Sequence, residues 1–258
     1  MIKEQDEPEA LVCNEVRGGN REFTGMRRLP GILAWVASIP IKDGEGGGDI
    51  HFMSVCSHDL ISRIALADVS GHGREVDGAA VTLHELIRKN IDVWDQSDLM
   101  RGLNDTFNLD GDGLYATAIV LSFHRVTGHL AFSNAGHLPP LWYHASERAW
   151  GWLEEGNPAL REAFGLPVGL IPGTAYCQTV VTLRPSDLLV LYTDGITEAE
   201  NAAGKSLGRE QLLQWARKSS VETAKTAGEE LLKRLTAYRG NRRSDDETLL
   251  VVQREVQS

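Results

Sequence analysis

The chain has 258 residues, 42% of them hydrophobic and 24% charged, with 26 basic side chains against 36 acidic ones and a formal net charge of -10. This length and balance suit a globular protein of one large or two small domains and exclude a disordered, collagenous or coiled-coil chain. A surface this acidic repels a phosphate backbone, so no nucleic-acid partner is expected.

Residues 1–20 start with MIKEQDEPEA, which has neither a basic n-region nor an apolar h-region, and they read as a loosely held N-terminal arm. From 21 to 258 no repeat and no long Pro/Ser linker divides the chain, so a single domain is expected. The first strand-like runs, bounded by Gly, Pro or Asp, are Ile32 to Ile39, Ile50 to Cys56 and Ile61 to Ala67. A helix follows from Val76 to Asn90, where Ala80, Leu83, Leu86 and Ile87 share a face, and another surrounds Leu99, Leu103 and Phe107. Ala116 to Phe123 and His129 to Ser133, joined by a short turn at Arg125 to Gly128, form an antiparallel hairpin. Strands at Leu141 to His144, Tyr176 to Leu183 and Leu188 to Tyr192 precede helices at Arg209 to Arg217 and Glu222 to Tyr238, and a last strand runs from Thr248 to Val252. Strands come in groups instead of alternating with helices, so the expected class is α+β, sheets flanked by helices.

The longest apolar stretch, Ile32 to Ile41, is broken by Ser38 and Pro40, and no membrane span is expected. Cys13, Cys56 and Cys177 are odd in number and widely spaced, without a CxxC pair, which argues against a disulfide framework or a thiolate zinc site and for reduced thiols in the cytoplasm. Trp150 and Trp152 read as buried anchors in preference to a partner surface.

Chemistry concentrates in aspartates at strand edges beside glycine or another acid. Asp49 follows Gly46-Gly47-Gly48, Asp68 ends an apolar run and precedes Val69-Ser70-Gly71-His72-Gly73, Asp194 precedes Gly195, and Asp245-Asp246 leads into the last strand. Any one of these alone is explained by turn chemistry. Carboxylates converging from several strand ends, however, make an oxygen-rich site for hard divalent cations.

The segments GGGDI (46–50), ALADVSGHG (65–73), ATAIVLSFHRVTGHLAFSNAGHLPPL (116–141), LPVGL (166–170), LRPSDLLVLYTDGITEAENAAGKSLG (183–208) and DDETLLVV (245–252) resemble, in order and spacing, the PPM-type (protein phosphatase 2C-like) serine/threonine phosphatases of the bacterial SpoIIE/RsbU branch. The resemblance implies a central antiparallel β-sandwich flanked on both sides by α-helices, in α-β-β-α layers, with two divalent cations, Mn2+ or Mg2+, at one end. Asp68 would bridge both ions, Asp49 and the Val69 carbonyl would hold one, and Asp194 and Asp245 the other. Asp246 would accept hydrogen bonds or hold a further, weaker ion. Two ions roughly 3.5 to 4 Å apart activate a water for in-line attack on phosphoserine or phosphothreonine, so Asp68 and Asp194 act catalytically through that water.

His72 is a candidate proton donor, although a structural role in the Gly71-His72-Gly73 turn is the preferred reading. His137, in Asn134-Ala-Gly-His, reads as part of a rigid connection, and Glu198 and Asn201 as site-lining or, preferably, capping residues. Ser186 stands where a turn glycine is common in the family. By resemblance the substrate would be a phosphorylated STAS-type anti-sigma-factor antagonist or a related partner-switching stress regulator, with no membrane partner and with control from a regulatory protein or a homodimer. The rival readings are a catalytically inactive binding module of the same fold, and a phosphohydrolase acting on nucleotides or small phosphoesters. The latter lacks a phosphate-loop motif such as GxxxxGK[ST].

Overall fold

Most strands carry apolar residues on both faces, and the reason is that each sheet is covered twice. The computed structural model describes residues 8–41, 45–56, 58–71, 74–90, 93–107, 113–154 and 164–256. In chain order the first elements are β1 (Glu9–Ala10), β2 (Val16–Gly19), β3 (Phe23–Leu29), β4 (Ile32–Ile39), β5 (Asp49–Cys56) and β6 (Ile61–Val69), then α1 (Arg74–Lys89) and α2 (Gln96–Phe107). Next come β7 (Ala116–His124), β8 (His129–Ala135), β9 (Leu141–His144), β10 (Ala149–Trp152), β11 (Phe164–Gly165), β12 (Thr179–Thr182) and β13 (Leu188–Tyr192). Helices α3 (Asp194–Glu198), α4 (Arg209–Ala216) and α5 (Ala224–Arg239) precede the last strand, β14 (Glu247–Arg254).

One seven-stranded sheet runs β1-β3-β4-β14-β13-β9-β10; the other runs β11-β8-β7-β6-β5-β2, with β12 also paired to β8. Pairing is antiparallel except for β1 with β3 and β11 with β8. Alternation along each strand sorts the side chains into three cores. Ile32, Ala34, Val36, Leu250 and Val252 of the first sheet meet Met53, Val55, Ile64, Leu66 and Leu121 of the second between the sheets. The opposite face of the first sheet, with Trp35, Val190 and Val251, packs against Leu212 and Leu213 of α4 and Leu231 and Leu235 of α5. That of the second, with Phe52, Ala65 and Ala118, packs against Val76, Ala80, Leu83 and Ile87 of α1 and Leu99 and Leu103 of α2. The order is therefore α-β-β-α, and the α+β sandwich expected from the sequence is what folds.

Two differences have physical causes, and the two tryptophans read as buried anchors are buried. Residues 9–10 and 16–19, read as part of a loose arm, are edge strands: β2 pairs with His51 to Ser54, and β1 with Arg27 and Arg28. Phe23–Leu29 has no period-two apolar pattern, yet all of it pairs with β4, whose own two-sided burial supplies the energy. Trp150 and Trp152 sit on β10 at 7% and 6% exposure, within the core under α4 and α5. Among the described residues, no helix is long and apolar enough to cross a membrane.

Candidate metal centre

Strand pairing alone puts the first two aspartates side by side: β5 and β6 are in register with Asp49 opposite Asp68. Each lies at the end of its strand on the face that carries Met53 and Val55, or Ile64 and Leu66, so both carboxylates close one end of the inter-sheet core. The first sheet answers from across that end. Its neighbours β13 and β14 lead out of Thr193 into Asp194, and in from Asp245 and Asp246.

Short contacts hold the arrangement. The fully buried Thr193 hydroxyl donates to Asp49 Oδ2 at 2.7 Å and accepts the Thr248 backbone N–H at 3.0 Å, which ties the two sheets together at the acid. Asp246 accepts two backbone amides, Ile41 N–H on Oδ1 at 2.7 Å and Gly48 N–H on Oδ2 at 2.6 Å. Asn20 fixes the same loop by donating to the Gly47 carbonyl at 3.0 Å and to Asp77 at 2.7 Å. A Cβ on Gly48 would lie 3.0 Å from the Val69 carbonyl oxygen and 3.6 Å from Asp68 Oδ1, so only glycine leaves that oxygen-lined cradle open. A Cβ on Gly195 would come within 1.9 Å of the Asp246 carbonyl oxygen, which explains the glycine after Asp194.

Among the described residues, the electrostatics are those of like charges without a counter-charge. Burial, then the charges of Asp49, Asp194 and Asp245, push Asp68 up to about 9. Burial also raises Asp49 well above the carboxylate range, against hydrogen bonds from Thr193 and Thr248, with Asp246 and Asp194 adding to the rise. Asp245, at the exposed rim, is raised by partial desolvation and by Asp194, Asp246 and Glu198, against the Asp246 amide. No basic side chain is among the main charges acting on these three acids. Among the described residues, no three His, Cys, Asp or Glu side chains are drawn into a closed ligand cage. The acids stand within reach of one another's charge, with Asp49 as the floor and Asp245 as the rim.

Of the sequence candidates, Asp49, Asp68, Val69, Asp194, Asp245 and Asp246 thus gather at one end of the sandwich, while His72 lies outside the described residues. His137 is 4% exposed, its Nδ1 2.9 Å from the Thr117 hydroxyl and its backbone bonded to both ends of the Asn134 amide, as befits a rigid connection. Asn201 caps a turn, accepting from Ala203 and Lys205, and the residue before α3 is Thr193. Glu198, expected to cap in preference to lining the site, is exposed and acts on Asp245 by its charge. Thr193, Thr248 and Asn20 were not singled out in the sequence, and only the Thr-Asp-Gly juxtaposition hinted at the first.

The model of the family described as stage II sporulation protein E (SpoIIE) matches residues 62–255. The chain belongs to the SpoIIE family. It is 25% identical over 225 residues to the phosphoserine phosphatase RsbU of Bacillus subtilis (strain 168), a match that spans 85% of this chain and 62% of that one. Two further curated relatives are matched over only 33% and 21% of their length. Among solved structures, the RsbU and RsbW domains of Rv1364c from Mycobacterium tuberculosis superpose with a TM-score of 0.73 at 23% identity, over 89% of this chain and 62% of that one. The catalytic domain of the serine/threonine protein phosphatase PstP, solved in complex with two manganese ions, superposes with a TM-score of 0.57 at 14% identity, over 86% of this chain and 97% of that one. The PPM resemblance read from the motifs of this SpoIIE-family chain is therefore borne out in family and in fold.

Proposed function

We propose that this chain is a divalent-cation-dependent protein phosphatase that hydrolyses phosphoserine or phosphothreonine. The observation that carries the reading is the set Asp49, Asp68, Asp194 and Asp245, brought from four separate chain segments to one end of the sandwich without a basic partner among the described residues. Such a set is costly to bury unless cations neutralise it. The Gly48 cradle, lined by the Val69 carbonyl and Asp68 Oδ1, fits hard cations by its donor chemistry.

Asp68 would bridge two ions, Mn2+ or Mg2+, with Asp49 and the Val69 carbonyl completing one site and Asp194 and Asp245 the other. Bound there, such ions supply acidification of water, orientation of the phosphoryl group and neutralisation of its charge. The protein's own residues do the rest. Thr193 orients Asp49, and Asp246, with both oxygens taken by backbone amides, serves to pin the loop before Asp49 in preference to ligation. His72 stays a candidate proton donor.

The substrate we infer is a phosphorylated STAS-type or related partner-switching regulator, in keeping with the similarity to RsbU. A regulatory partner or a homodimer would set the activity. A cytoplasmic setting agrees with the absence of a disulfide at Cys13, Cys56 and Cys177. The experiment is phosphate release from a phosphoserine STAS protein and from an aryl phosphate, with Mn2+ or chelator, for the native chain and Asp68→Asn. Turnover that needs metal and Asp68 is the expected result. Equal turnover in chelator or in the variant overturns the mechanism, and no turnover on any phosphoprotein favours a binding module of the same fold.

A further inference from the structure

Away from the carboxylates, a cavity of about 430 Å³ opens among β2, β3, β5 and α1, lined in part by Arg17, Arg21, Phe23, Arg27, His51 and His84. Three guanidiniums around one cavity stand out in a chain of net charge -10. Two of them already hold a carboxylate. Glu9 of β1 sets one carboxylate oxygen 3.1 Å from Arg17 Nε and the other 3.2 Å from Arg27 Nη2, so the two arginines share a single carboxylate. Arg21 is exposed and makes no ion pair among the described residues.

The inner wall is polar in an unfinished way. His51 is 5% exposed and its Nδ1 has no hydrogen-bond partner; His84 Nε2 has none either. Both histidines line the cavity, and His51 is stacked at 5.6 Å on Phe23, whose ring also carries the Arg27 guanidinium at 4.3 Å. Buried polar atoms are nearly always paired, so two unpaired imidazole nitrogens at one cavity call for a partner. Guanidinium forks with imidazole N–H groups suit an oxyanion, and the volume falls within the range of small-molecule sites.

We propose that this cavity binds a small organic oxyanion, a carboxylate or a phosphate ester, which takes the place of Glu9 between Arg17 and Arg27 and reaches Arg21 and the two imidazoles. The site is separate from the carboxylate cluster but shares a wall with it, because Asn20 lines the cavity and bonds the Gly47 backbone at both its N–H and its carbonyl.

The test is calorimetric titration of the Asp68→Asn chain without added metal, so that no anion is held through cations at the acidic end. AMP and citrate distinguish phosphate from carboxylate, and adenosine is the uncharged counterpart. Saturable binding of AMP or citrate but not adenosine is expected, weakened by about tenfold or more in Arg21→Ala, a site with no ion pair to lose. Binding tightens in Glu9→Gln, and the imidazole nitrogen signals of His51 and His84 shift on titration. The proposal fails if neither anion saturates by about 10 mM, if adenosine binds as well as AMP, or if Arg21→Ala and the imidazole signals are both indifferent to the anion.

Discussion

Glu247 and Asp68 are both acids taken out of water, and burial pushes both up from the ordinary carboxylate range. Around Glu247 the chain supplies the answer itself: Arg239 of α5 brings Nε to 2.6 Å and Nη2 to 2.9 Å of its two oxygens, and Arg239 and Arg243 pull the acid back down. Around Asp68 every charge of consequence is another carboxylate. A fold able to place an arginine fork just after Asp245 and Asp246 has left the neighbouring cluster without one among the described residues. Glu247 is structural, and the cluster is left for the proposed cations to complete.

The largest expected effect breaks that contrast at its acidic side. Asp68→Asn should drop metal-dependent phosphate release to background while raising the melting temperature in chelator, since the buried acid no longer has to take up a proton to escape its neighbours' charge; added Mn2+ should no longer raise it further. A variant that melts lower than native in chelator would mean the cluster is not strained by its own charge. On the compensated side, Arg239→Met strands a buried carboxylate and should cost about 3–5 kcal/mol in urea unfolding, most of it recovered in Arg239→Met/Glu247→Leu. If the double variant is no more stable than the single one, the fork matters for packing and not for charge.

His137 shows another solution, an ionisable group buried without charge. Burial pulls it from 6.5 down to about 4. The unfolded chain therefore takes up a proton between those values while the folded chain does not, so the stability is whole above pH 6.5 and is lost as pH falls through 4. The span amounts to on the order of 3 kcal/mol. Denaturant unfolding of His137→Gln should have a visibly flatter pH dependence in that window, and parallel curves would refute the assignment. Smaller again is the support of the acids: Thr193→Val removes the hydroxyl that Asp49 leans on, and metal affinity read by calorimetry should fall about 10–100-fold. Unchanged affinity would reduce Thr193 to a tie between β13 and β14.

What was legible in the sequence follows from where the burial energy lies. Leu188–Tyr192 and Leu141–His144 fold within the limits read from their patterns, because strands covered on both faces must be apolar throughout. The aspartates were legible only as a set, because each alone passes for turn chemistry whereas several at strand ends beside glycine point to one oxygen-rich site. The strands β1, β2, β3 and β10, at or next to a sheet edge, were not, since such a strand takes its conformation from its neighbour's backbone and leaves little trace in its own residues. Thr193 and Asn20 were silent for a related reason: their work depends on Asp49 from the other sheet and on Gly47, contacts that exist only once the sandwich closes.

The smallest expected effect concerns an acid compensated without any charge. Asp187 is 1% exposed and is served by N–H donors alone, from Arg184 and Ala145 at 2.9 Å each and from the Trp142 indole at 3.3 Å. The turn that aims it there requires Ser186 at φ 69°, left-handed space that a side chain enters at a cost of about 1 kcal/mol. Glycine, common at this place in the family, removes that cost but loses more freedom on folding, so Ser186→Gly should stabilise by only about 0.5 kcal/mol. A stabilised variant with unchanged phosphate release separates the hydrogen-bonded acid from those proposed to hold cations. A destabilised variant would mean that the serine side chain, and not the backbone angle alone, helps hold Asp187 in place.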